Sequence, residues 1–163
     1  MFDFIRCYVR LSMVYYRLWG KLIRGKTMRI HYELANFLVS AWRLARPGVR
    51  LPTSHGILDR ALEDTADELP DRFKGKLTFI ETPIGRLCRE LPDILRAAQE
   101  SYLTSEPNPT YKTAEVKVSA AAAFELLDSL GIDIDKAKEF GQRLSDSLDR
   151  QVKALATAEA PAA

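Results

Sequence analysis

The placement of basic residues between positions 2 and 24 constrains the fold of this chain more than any other feature. Arg6, Arg10, Arg17, Lys21 and Arg24 follow one another at intervals of 4, 7, 4 and 3 residues, with no proline among them. At about 100° per residue on a helix, these five side chains fall within roughly a 60° arc. The rest of the circumference carries Ile5, Tyr8, Val9, Leu11, Tyr15, Leu18, Trp19, Leu22 and Ile23. So broad an apolar face must be covered by a protein core, a second subunit or lipid. Arginine recurs too often for a membrane span, because no run of about 18 apolar residues survives. A secretory signal is also disfavoured, since the uncharged stretches are short and no small-residue cleavage site follows. The Arg-rich, acid-poor character is shared with mitochondrial presequences, but Ser12 and Thr27 are its only hydroxyl residues apart from tyrosines.

Charge is divided unevenly along the chain. Residues 1–50 hold ten Lys/Arg against Asp3 and Glu33, a net of +8, while residues 51–163 hold fourteen Lys/Arg against twenty Asp/Glu, a net of −6. Such asymmetry predicts that the front of the molecule meets something anionic, whether nucleic acid, lipid headgroups or the acidic body of the same protein. Counted from Met28, the chain carries 18 basic and 21 acidic residues, a net of −3, so most of that case rests on the first 27 residues.

Turn residues divide the remainder into helices. A second apolar helix is expected from Met28 to Ala45, stopped by Arg46-Pro47-Gly48, so that residues 1–46 form a basic amphipathic helical arm. Residues 54–157 form a mainly helical globular domain, and residues 158–163 are small, alanine-rich and expected to fray. Within the domain, Ile57 to Leu69 has helical periodicity and ends at Pro70, and Leu77 to Ile80 is rich in strand formers. Thr82-Pro83 looks like an N-cap followed by a first-turn proline, predicting a helix over 83–90, with a second over 92–104 after Leu91-Pro92. Tyr111 to Val118 alternates as a strand, with Lys112, Ala114, Val116 and Val118 on one face. From Ser119 an alanine-rich helix runs to Gly131, placed as a C′ glycine, and Asp133 or Asp135 caps a last helix with Phe140, Leu144, Leu148, Val152 and Leu155 on one stripe. The fold class is therefore mainly α, with six or seven helices and a minor two-stranded β element. With 47% hydrophobic and 28% charged residues, it is an ordinary soluble composition.

The order strand, helix, helix, turn, strand makes residues 54–118 compatible with a winged helix-turn-helix. Arg86, Arg89 and Arg96 are then the phosphate-contacting candidates beside the five basic residues of the N-terminal segment. Glu90, Asp93 and Glu100 cancel them, however, where phosphate contact favours a basic surface. Cys88, between Arg86 and Arg89, is the one candidate nucleophile, but no histidine lies near it, and its Leu87 and Leu91 neighbours suit a core thiol. Cys7 and Cys88 are expected to be reduced thiols in a cytoplasmic protein. His31 and His55 are too isolated for a zinc site, Asp133-Ile134-Asp135 lacks the remaining ligands of a calcium loop, and no glycine-rich phosphate loop occurs. No catalytic residue, metal or cofactor is therefore assigned. The expected function is a non-catalytic regulatory or interaction module, specifically a winged-helix-like nucleic-acid binder. The alternative is a peripheral adaptor held on an anionic membrane surface by the N-terminal helix. The stripe of the last helix offers a homodimer surface, and the dense turn residues between Thr82 and Tyr111 mark the first place to look for a functional surface.

Overall fold

A computed structural model describes residues 28–54, 56–83, 85–105 and 112–158, with side chains through residue 154. The N-terminal candidates Arg6, Arg10, Arg17, Lys21 and Arg24 lie outside the described residues, as do His55, Tyr111 and nearly all of the predicted tail. The fold is mainly α with a minor β component. Its elements are α1 (28–45), β1 (Leu51–Pro52), α2 (Ile57–Asp64), a 3₁₀ turn (Ala66–Glu68), β2 (Phe79–Thr82), β3 (Gly85–Cys88), α3 (Leu91–Glu100), β4 (Thr113–Ala114), α4 (Ala120–Ser129) and α5 (Ile134–Ala158).

Helix α1 repeats apolar residues at helical spacing, and Leu34, Phe37, Leu38, Ala41 and Trp42 are all buried. It is not part of an arm. These side chains join α2, α3, α4 and α5 in a single core, because a stripe this wide cannot remain in water next to other apolar stripes. The Phe37 ring sits between Phe73 and Phe140, at centroid distances of 5.5 and 5.0 Å. Trp42 is too large to bury without satisfying its indole N–H, and it donates to the Val49 carbonyl at 3.0 Å, closing the turn that follows α1. Gly141 of α5 lies so close to α1 that a Cβ there would stand 2.3 Å from the Ala41 carbonyl oxygen.

The predicted helix over 83–90 is instead a β-hairpin. Phe79 pairs with Cys88, Ile80 with Leu87, Glu81 with Arg86 and Thr82 with Gly85. The Thr82 hydroxyl, read as an N-cap, donates to the Gly85 carbonyl at 2.5 Å and clamps the hairpin turn. Gly85 has φ +117°, a conformation open to glycine that no helix interior uses. The hairpin is fastened to α2 through the buried Asp59 carboxylate, which accepts the Gly56 N–H with one oxygen and the Cys88 N–H with the other, both at 2.7 Å. The element order of a winged helix-turn-helix over 54–118 is therefore not found among the described residues, since only α3 remains of the expected helix pair.

The predicted strand over 111–118 is shorter but extended. Its β4 core pairs antiparallel with β1, and Val116 bridges to Thr104 on the opposite side. Ala114 and Val118 are buried, as the alternation requires. The Ser119 hydroxyl accepts the Ala122 N–H at 3.1 Å and caps α4, and of the two candidate caps for α5 it is the Asp133 carboxylate that accepts a backbone N–H, that of Lys136 at 3.0 Å. On α5, Phe140, Leu144 and Leu148 close the core, whereas Val152 is exposed.

Candidate functional site

Two helix ends in this fold have the same geometry and differ in one residue. At the end of α4, the Gly131 N–H donates to the Asp128 carbonyl at 2.8 Å and the Ile132 N–H to Leu127 at 3.0 Å. At the end of α3, the Tyr102 N–H donates to Gln99 at 2.9 Å and the Leu103 N–H to Ala98 at 2.9 Å. Both are Schellman endings, in which the residue after the cap turns left-handed and the next one packs inward. Gly131 has φ +65° and Tyr102 φ +56°. Among the described residues, Tyr102 is the only non-glycine with positive φ. Its side chain is also 82% exposed, so no packing offsets the strain of its backbone.

Tyr102 stands two residues beyond Glu100, and Glu100 borders a surface groove of about 340 Å³ between α1 and α3. Met28, His31 and Tyr32 line the α1 side, and Asp93, Arg96 and Glu100 line the α3 side. The spacing 93, 96 and 100 puts all three α3 residues on one helix face. The Tyr32 hydroxyl donates to the Glu100 carboxylate. That hydrogen bond, with partial burial and the nearby negative charge, holds the Tyr32 phenol above its usual pKa. Nδ1 of the buried His31 lies 3.9 Å from the Asp93 carboxylate, which also faces Arg96 at 3.6 Å. Arg96 faces Asp93 while Glu100 is met by the neutral Tyr32 hydroxyl, and Met28 is 55% exposed at the groove's edge.

The three body arginines expected to contact phosphate are not brought together. Arg86 lies on the hairpin, held by Glu63 at 2.5 Å and Glu81 at 3.1 Å. Arg89 follows β3 and is exposed, and Arg96 lines the α1–α3 groove. No protein-family model matches the chain, and neither a curated protein nor a solved structure matches it. Among the described residues, no group of three or more His, Cys, Asp and Glu side chains could hold a metal ion, and no helix is long and apolar enough to cross a membrane.

Cys88 is buried, and burial pushes its thiol up to about 11. Its Sγ lies 3.8 Å from the Glu90 carboxylate, which disfavours the thiolate further. This is the opposite of an activated nucleophile. Neither neighbouring arginine acts on the thiol: Arg86, two residues away on the same strand, turns to Glu63 and Glu81, and Arg89 is exposed. Sequence reasoning missed both Asp59 and Tyr102. The first was detectable as an acid three residues after Gly56, the spacing of a capping box. The second carried no signal, because the helix was expected to continue to residue 104 and so to make position 102 an ordinary helical one.

Proposed function

We propose that this chain is a non-catalytic interaction module whose working surface is the end of the body where α1 begins and α3 ends. The observation that carries the proposal is Tyr102, an aromatic side chain kept in water on a backbone conformation that glycine would adopt without strain. Exposed tyrosines supply contact area at low entropic cost and are enriched among residues that dominate interfaces. The groove beside it contributes Met28 as an apolar edge and Arg96 as an exposed cation. A phosphate-tracking body has less in its favour, since Arg86 is engaged by two carboxylates and residues 28–163 carry a net charge of −3.

The test is site-specific photo-crosslinking in the native host, with a photoreactive phenylalanine analogue at position 102 and, in a parallel protein, at the half-exposed Phe124 of α4. Adducts to protein, nucleic acid or lipid that form from position 102 and not from 124 are expected. Equal labelling from both positions, or none from 102, refutes the assignment of the surface.

A further inference from the structure

We infer that the partner at the α1–α3 end is a second copy of this chain, joined by antiparallel contact of the two α3 helices about a two-fold axis near residue 98. The inference rests on the reading of that end as the working surface and adds the identity of its occupant. Asp93, Arg96 and Glu100 are exposed and follow one another along one face of α3 as acid, base and acid. Arg96 and Glu100 stand four residues apart, the spacing of an ion pair within a helix, yet no ion pair joins them among the described residues. Arg96 turns to Asp93 at 3.6 Å, with both side chains more than half exposed. Glu100 accepts the neutral Tyr32 hydroxyl on one of its oxygens. A guanidinium has five N–H donors and a carboxylate two oxygens, so each group keeps capacity for a partner.

A two-fold axis midway between these two residues uses that capacity twice. With the helices antiparallel across it, position 96 of each lies level with position 100 of the other, so Arg96 of each copy meets Glu100 of the other. The step from residue 98 to residue 102 is about 6 Å. Tyr102 therefore lies level with position 94 of the second copy, at the end of the groove where His31 and Asp93 are 3.9 Å apart. The exposed ring of each copy is thus brought to the 340 Å³ groove of the other. The remaining charges suit the same occupant. Arg29 is held by Glu33 at 3.1 Å, so this end has no excess of cations for a phosphate backbone or an anionic bilayer. A face that carries both signs along one helix is instead complementary to itself when turned over. The stripe of α5, the other candidate dimer surface, is largely spent, because Phe140, Leu144 and Leu148 lie in the core. Contact between two helix faces of this length is small, so the dimer belongs with the transient interfaces that dissociate in the micromolar range.

The experiment is sedimentation velocity of the full chain over a concentration series that runs to the limit of solubility. Arg96→Glu, Glu100→Arg and, on the exposed face of α4, Glu125→Arg are measured alongside, with urea unfolding to verify that each is folded. The wild-type chain and Glu125→Arg should pass from monomer to dimer as concentration rises. Arg96→Glu and Glu100→Arg should each weaken association roughly tenfold or more, because like charges then face each other on both sides of the axis. An equimolar mixture of these two variants should regain wild-type association as a heterodimer, in which every facing pair is again opposite in sign. The photoreactive chain should give an adduct of twice its own mass, joining position 102 to the segment around His31 or Asp93. A wild-type chain that stays monomeric overturns the inference. So do single reversals that associate like wild type, a mixture that stays monomeric, or a loss of association in Glu125→Arg equal to that in Glu100→Arg. If the chain is monomeric while position 102 crosslinks to another protein, to nucleic acid or to lipid, self-association fails and the working surface stands. If it is monomeric and position 102 gives no adduct, both fail.

Discussion

Replacing Tyr102 with glycine should make this protein more stable, although the substitution deletes the largest exposed side chain of the segment. A residue with a Cβ pays roughly 1–2 kcal/mol to sit in the left-handed region. Glycine avoids that cost but returns roughly 0.5–1 kcal/mol through its greater freedom in the unfolded chain. Packing barely enters, because the tyrosine is 82% exposed. The net gain expected for Tyr102→Gly is therefore about 0.5–1 kcal/mol, or roughly 1–4 °C in Tm for a chain of this size. Gly131 provides the reciprocal experiment on the same backbone motif. A Cβ built there meets nothing within 4 Å, so Gly131→Ala should lose about 1 kcal/mol for backbone reasons alone. Both changes are read from urea midpoints at constant m-value, with thermal unfolding as a second measure. A Tyr102→Gly protein that is no more stable than wild type would show that the tyrosine makes a contribution its exposure does not reveal. The argument for an interaction surface would then lose its foundation.

Three other substitutions probe features that hold the body together. Asp59→Ala should cost about 2–4 kcal/mol in urea unfolding, because it leaves the Gly56 and Cys88 N–H groups without their acceptor; a loss below about 1 kcal/mol would mean the hairpin docks by other means. Gly141→Ala should cost about 1–3 kcal/mol or prevent folding, since its methyl group would press on the Ala41 carbonyl and on the Ala45 side chain; wild-type stability would refute so close a crossing. Cys88 has a pKa raised from 9.0 to about 11 in the fold, so its contribution is complete below about pH 9 and is lost as pH rises towards 11. The loss is on the order of 2 kcal/mol. In a Cys7→Ser background, urea midpoints measured across that range should fall more steeply with Cys88 than with Cys88→Ala, and the thiol should resist alkylation near pH 8.

The helices were legible wherever periodicity and caps agreed. Gly131 and Asp133 act as expected because capping is a local matter of one side chain and a few backbone groups. The segment from Thr82 to Cys88 was misread for an equally physical reason. A threonine followed by proline suits a helix start and a tight turn alike, and the deciding contact, from Asp59 to the Cys88 N–H, spans 29 residues of sequence. The arm was misread because α1 is amphipathic by itself, and only the packing of Phe37 against Phe73 and Phe140 shows which core it completes. The stretch from Thr82 to Tyr111 is dense in turn residues. Tyr102, within it, is a conformational exception that residue type alone does not announce.

The close approach of Gly141 to Ala41 has a consequence for how the chain is made. Two helices separated by about a hundred residues of sequence meet at this close seam, so it cannot close until α5 has left the ribosome. Until then, Phe37 and Trp42 lack the α5 surface that covers them. A nascent chain halted anywhere before α5 should be sticky and protease-sensitive, a natural client for a holdase. Folding of this body should be timed by the arrival of α5 rather than by the order in which the other helices appear.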